Sequence, residues 1–185
     1  RIETGRPSPG RGGANMAEIV ADGGETWRWD GRGAYSPVLE SVGTLAVPDR
    51  PAAGPVAAAA MRALEADLAG PLAEARGLGD EVRLLAVELA TGAPGGKSWL
   101  VAAEAPSLCG EVMGCPQVVL VPAGKGLRAA LVTYGIGAVA VMPSASRGVR
   151  DLAFADGEGY RRMRWDGSAY RAAATSYPSP VTPAP

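Results

Sequence analysis

Two thiols and no imidazole set the chemical limits of this chain: Cys109 and Cys115 are its only cysteines among 185 residues, and histidine is absent. Five residues separate the pair, in Cys109-Gly110-Glu111-Val112-Met113-Gly114-Cys115. Gly110 and Gly114 let so short a segment fold back, because glycine tolerates positive φ, and a bridge needs the two Cα atoms close together. The stretch therefore reads as a disulfide-closed loop between two strands. A pair of reduced, buried thiols is the competing reading, since free cysteine is also a common core residue. The spacing is not Cys-x-x-Cys, which gives thiol redox catalysis little support. Zinc fares no better, because without histidine two thiolates leave a tetrahedral site half filled. Closing this ring removes little chain entropy, worth about 2 kcal/mol. That can hold a loop in shape but cannot make a fold.

Other candidates weaken on inspection. Thr91-Gly92-Ala93-Pro94-Gly95-Gly96-Lys97-Ser98 ends like a phosphate loop, yet Thr91 stands where the first glycine belongs and Ser98 leads into the strand-like Trp99-Leu100-Val101 rather than a helix. An ordinary hairpin turn is expected there. The acidic turns Asp22/Glu25 and Asp156/Glu158 offer two carboxylates each, against the six to eight oxygens calcium requires. Arg161, Arg162 and Arg164 with Tyr160, Trp165 and Tyr170 form a basic aromatic strand that could stack on single-stranded nucleic acid. Strand alternation instead places Arg162 and Arg164 on a polar outside, opposite Met163 and Trp165. For catalysis the commonest general base is missing, and no serine sits in Gly-x-Ser-x-Gly. Paired carboxylates of a hydrolase stay open, with nothing pointing to them. No catalytic residue, no cofactor and no metal are expected.

The elements that would hold the Cys loop follow from periodicity. From Pro55 onward, Met61, Leu64, Leu68 and Leu72 fall three and four apart, one face of a helix. Gly70-Pro71 should end or kink it. Short apolar runs then succeed one another: 82–90, 99–104, 117–121, 127–133, 136–142, 151–155 and 160–165, with glycine-bearing turns between them. Residues 80–90 could also be helical on propensity alone. Short connections imply an antiparallel meander, so the expected class is α+β, one sheet covered by one main helix.

An internal repeat frames this domain. Trp29-Asp30-Gly31 followed by Tyr35 matches Trp165-Asp166-Gly167 followed by Tyr170, each after an apolar strand and a Gly-rich acidic turn. The layout read from this is an extended Arg/Gly/Pro-rich arm (1–15), a first Trp-Asp-Gly hairpin (16–35) that could end a preceding module, a linker (36–54), the α+β domain (55–171) and a Pro-rich tail (172–185). Net charge is −1, too small to draw in nucleic acid or an anionic membrane. No run approaches the roughly eighteen apolar residues of a membrane span. Arg1-Ile2-Glu3-Thr4-Gly5 lacks the apolar core of a secretory leader, so a leader was either removed or never there; because residue 1 is Arg rather than an initiator Met, a processed or truncated chain is expected.

Trp99-Leu100-Val101, Cys109-Gly110 and Gly114-Cys115, Val139-Ala140-Val141-Met142-Pro143, Arg147-Gly148-Val149-Arg150-Asp151-Leu152 and Arg164-Trp165-Asp166-Gly167-Ser168-Ala169-Tyr170 together resemble a loose group of small exported bacterial envelope proteins. These carry a Cys-Gly…Gly-Cys loop and a Trp-Asp-Gly…Tyr closing hairpin, and the resemblance covers residues 56–171. It implies a periplasmic or secreted location, which suits a disulfide, and a non-catalytic role. The group's acidic turn before the Trp-Leu-Val strand is replaced here by Gly92-Ala93-Pro94-Gly95-Gly96-Lys97, without an acid. A second resemblance is to periplasmic inhibitors of vertebrate-type lysozyme, which present a short Cys-closed loop; theirs holds a histidine, whereas Glu111 is the only polar side chain here. The expected function is an interaction module or accessory subunit of the bacterial envelope with a protein partner or larger assembly. Gly110, Glu111, Val112, Met113 and Gly114 form the candidate interaction loop.

Overall fold

The computed structural model describes residues 18–20, 26–29, 35–37, 43–110, 113–135, 137–156 and 159–173. Before residue 43 this extends to the strand backbone only. The arm, the Asp30-Gly31 turn, the Asp22/Glu25 turn, Glu111, Val112 and the tail from 174 lie outside the described residues, as do Gly157 and Glu158.

Two helices and thirteen strands are described. Helix α1 (Gly54–Asp67) begins with Pro55 in its first turn, where a missing N–H costs nothing. It stops at Leu68, and α2 (Ala69–Gly77) follows at once. Pro71 explains the break: it has no N–H to give the Asp67 carbonyl, and its ring crowds that same oxygen. Leu64 and Leu72 are buried on the shared apolar face, while Glu65 and Arg76 join the two helices across their exposed side at 3.0 Å.

The strands form two five-stranded antiparallel sheets and a three-stranded ribbon. The first sheet takes β5 (Arg50–Pro51), β6 (Arg83–Leu89), β7 (Ser98–Glu104), β8 (Cys115–Ala123) and β9 (Gly126–Gly135) in chain order. The second runs β13 (Tyr170–Ala172), β12 (Gly159–Trp165), β11 (Val149–Asp156), β10 (Val139–Ser146) and β4 (Thr44–Ala46). The ribbon is β1 (Glu18–Val20), β2 (Thr26–Trp29) and β3 (Tyr35–Pro37).

Three layers result: helices, first sheet, second sheet. Ala86, Val101, Val118 and Leu120 face α1 and α2, whereas Leu89, Leu100, Val119 and Val121 meet Val141, Leu152, Phe154 and Met163 of the second sheet. Strands β7 and β8 are thus covered on both faces, which is why they read as near-continuous Leu/Val/Ala runs rather than alternating ones. Leu100, Leu120, Leu152 and Phe154 are all under 2% exposed, each worth about 1.5–3 kcal/mol of burial.

The expected single meander under one helix is therefore corrected to two sheets and two helices. Hairpins do link neighbours, but after β9 the chain turns at Gly137 (φ 71°) and starts a new layer with β10. Of the strand expected over 136–142, Ile136 lies outside the described residues and the strand itself is Val139–Ser146. The stretch 36–54, read as a linker, holds β4 and β5, which edge the second and first sheets respectively. At three and two residues, both are too short to leave a period.

The two Trp-Asp-Gly units lie in different sheets but share a register. Trp29 lies opposite Tyr35 in the ribbon, and Trp165 opposite Tyr170 in the second sheet.

Candidate functional site

The Cys109–Cys115 disulfide is present and leaves no free cysteine. Its loop is closed twice. Inside the bridge, the Gly110 N–H donates to the Gly114 carbonyl and the Gly114 N–H to the Gly110 carbonyl, both at 2.9 Å. Gly114 sits at φ 72°, so a side chain there would strain the turn. Met113, at the tip, is 62% exposed.

Neighbouring elements brace this loop. Cys115 opens β8 opposite Gly135, and two residues on, the buried Gln117 donates its Nε2 to the Gly137 carbonyl at 2.8 Å. A Cβ on Gly135 would meet Gln117 Oε1 at 2.7 Å, so the amide lies where only glycine leaves room. That Oε1 is buried without a hydrogen-bond partner among the described residues. Arg161 Nη2 reaches across from the second sheet to the Tyr134 carbonyl (3.2 Å) and Thr133 Oγ1 (3.3 Å). On the other side, Asp80 accepts the Ser107 N–H at 2.9 Å in the turn leading to Cys109. Hydrogen bonds from Ser107 hold that carboxyl below its ordinary value. Leu78, two residues before Asp80, is 67% exposed. Of the three large apolar side chains left exposed among the described residues, two therefore sit on loops tied to the disulfide end. The third, Val47, lies elsewhere.

The opposite end of the inter-sheet layer is closed by the repeat. Trp165 and Tyr170 pack edge to face at 5.2 Å between centroids, with the Arg128 guanidinium 5.7 Å over the Trp165 ring. The Tyr170 hydroxyl donates to the Arg150 carbonyl at 2.9 Å, and burial raises its pKa above the ordinary phenol value. Asp166 caps its own turn, accepting from the Ser168 and Ala169 N–H groups at 2.7 Å, which holds its carboxyl far below the usual range. Gly167 follows at φ 109°. The structure keeps these residues apart from the Cys loop, at the β8–β9 turn end of the first sheet.

The turn at Thr91–Lys97 is a β6–β7 hairpin connection. Thr91 Oγ1 donates to Ser98 Oγ at 2.9 Å, and Lys97 pairs with Glu88 at 2.6 Å. No helix follows Ser98, so no phosphate cradle is built.

Arg162 departs from the expected polar outside. On the second sheet's outer face it holds Asp151, whose side chain is fully buried, through Nη2 at 2.6 Å and Nε at 3.1 Å. Ser144 Oγ adds a third bond at 3.0 Å. Burial pushes the Asp151 carboxyl up, but the Arg162, Ser146 and Ser144 hydrogen bonds outweigh it and the net shift is downward. Ala140, Met142, Ala153 and Tyr160 on the same face are buried too, and β3 passes beside β12. Strand alternation could not reveal that this face is covered.

A groove of about 650 Å³ opens beside Trp99, lined also by Val47, Pro51, Val56, Asp49 and Glu88. Both carboxylates stay largely in water, and Arg50 and Lys97 stand beside them. A proton-donating carboxyl needs the reverse, a dry apolar setting. Among the described residues, no group of three or more Cys, Asp or Glu side chains could hold a metal ion, and no helix is long and apolar enough to cross a membrane. In comparisons with known proteins, no family model, curated protein or solved structure matches this chain.

Proposed function

We propose that this protein is an exported, non-catalytic interaction module that serves as an accessory subunit in the bacterial cell envelope. The observation that carries this reading is the disulfide end: a loop closed by a covalent bridge and two backbone hydrogen bonds presents Met113 to solvent. Closing a loop at its base lowers the entropy it loses on docking, so exposed apolar area on it turns more efficiently into affinity. Leu78, on a second loop tied to the same end, adds a further apolar contact point. The bridge also suits an oxidising compartment.

The acidic side chains support the non-catalytic part. Glu65, Glu88, Glu104 and Asp166 pair with Arg or Lys on the surface and the buried Asp151 pairs with Arg162, so these five carboxylates are engaged in ion pairs.

The test is size analysis of the native envelope fraction with thiol alkylation, comparing the natural chain with Met113→Ser/Leu78→Ser. The natural chain, its thiols blocked, should run in an assembly larger than itself, and the double variant should leave it while keeping its folded circular dichroism spectrum. A natural chain with free thiols that runs alone would overturn the proposal.

A further inference from the structure

Glu88 and Trp99 stand directly opposite each other near the β6–β7 turn, at the end of the first sheet away from the Cys loop. Both keep step with Ala86 and Val101, so they share the sheet's helix side. There they line the groove of about 650 Å³, whose other walls are Val56 at the start of α1, Pro51 of β5 and the exposed Val47. That volume is in the ordinary range of small-molecule sites.

Strand β5 ends before it can close this groove. The Ala52 N–H donates to the Leu84 carbonyl, so the main-chain groups of Leu84, Ala86 and, by alternation, Glu88 all point toward β5. Arg50 pairs with Ala86, but the place opposite Glu88 falls to Pro48, beyond the end of the strand and without an N–H. The Glu88 N–H and carbonyl therefore face the groove with no partner among the described residues. Around them stand the Asp49 and Glu88 carboxylates and the Arg50 guanidinium. Their charges cancel: Lys97 holds Glu88 at 2.6 Å, and Arg50 Nε lies 3.9 Å from Asp49.

We infer that this groove binds a neutral saccharide, with one sugar ring lying flat on Trp99. A sugar ring carries C–H groups on its faces and hydroxyls around its rim. The C–H face suits the apolar, electron-rich plate of an indole. Each hydroxyl both donates and accepts, which matches one free N–H, one free carbonyl, two carboxylates and a guanidinium. Other occupants fit worse. An added peptide strand needs a row of open main-chain groups, and between Ala86 and the end of β6 only Glu88 offers them. An ionic ligand meets charges that are already balanced. An acyl chain would take the Glu88 main-chain groups and the carboxylates out of water with no hydrogen bonds in return. The site lies apart from the disulfide loop and does not depend on the role proposed for it.

The test is NMR titration of the full, isotope-labelled chain with cellotriose, maltotriose and triacetylchitotriose, neutral trisaccharides that differ in linkage and substituents. At least one should shift the Trp99 indole and Glu88 amide signals together and saturably, leaving Met113 unmoved. Trp99→Ala should weaken that binding roughly tenfold or more. Because Trp99 also packs against the core, Asp49→Ala on an exposed side chain serves as a second variant and should weaken it about threefold. No shift with any of the three sugars overturns the inference. So do equal shifts with tetramethylammonium, octanoate or trialanine, which would make the groove a cation, lipid or peptide site. Sugar binding that both variants leave intact overturns it as well.

Discussion

The layer between the two sheets ends in two different ways. At one end, Trp165, Tyr170 and Arg128 stack on one another, and the Tyr170 hydroxyl finds a carbonyl within the same sheet. At the other, Gln117, Thr133 and Arg161 replace the aromatics, Gln117 Oε1 has no described partner, and the adjoining loops leave Met113 and Leu78 in water. Both ends have similar raw material, one or two large side chains and a cation. The aromatic end satisfies its groups internally, so it stabilises the fold and offers nothing outward. The disulfide end is held by a covalent bond and a few hydrogen bonds, and its apolar surface stays available.

Substitutions can break this contrast, beginning at the closed end. Trp165→Ala opens a large cavity under Arg128 and removes the Tyr170 stacking partner, so urea denaturation should show a loss of about 3–5 kcal/mol. Asp151→Asn removes the buried carboxylate that Arg162 and Ser144 hold, at a cost of about 3 kcal/mol in the same assay. The pair also predicts a pH response. Because the Asp151 pKa is lowered in the folded state, its contribution is complete above the ordinary carboxylate value and is lost as pH falls through the lower, folded value. The melting temperature of the natural chain should drop in that acid window, and Asp151→Asn should flatten the drop.

The open end should respond less. Reducing Cys109–Cys115 should cost about 2 kcal/mol, with exchange rising first in residues 105–117 and little change around Trp165; equal loss at both ends would erase the distinction. Met113→Ser and Leu78→Ser, on exposed side chains, should alter stability by less than about 0.5 kcal/mol. A larger loss would mean these residues already pack within the fold.

The sequence revealed the elements better than their assembly. Helix periodicity found Leu64 and Leu72, and apolar runs found β6 to β9, because long elements leave long patterns. The split into two sheets was hidden: a hairpin and a crossing between layers both look like a short glycine turn, and only the register shows that β10 abandons β9 for β4. Strands β4 and β5 were missed because two or three residues carry no period. The thiol pair was legible from spacing and glycine alone. Its bracing was not, since Gln117 is an unremarkable residue until Gly135 and Gly137 are brought against it. Arg162 was misread because alternation tells which side a residue faces but not what lies over that side.

The placement of β4 has a kinetic consequence. The runs from β6 to β9 and from β10 to β13 are successive hairpins, so most of their pairing closes over short loops and forms quickly. Strand β4 joins Thr44–Ala46 to Val139–Val141, across more than half of the described chain. It cannot find its place until β10 has been made and its sheet laid down. Strand β4 is therefore made long before its partner, and a chain still being synthesised must carry it without that partner until β10 has emerged.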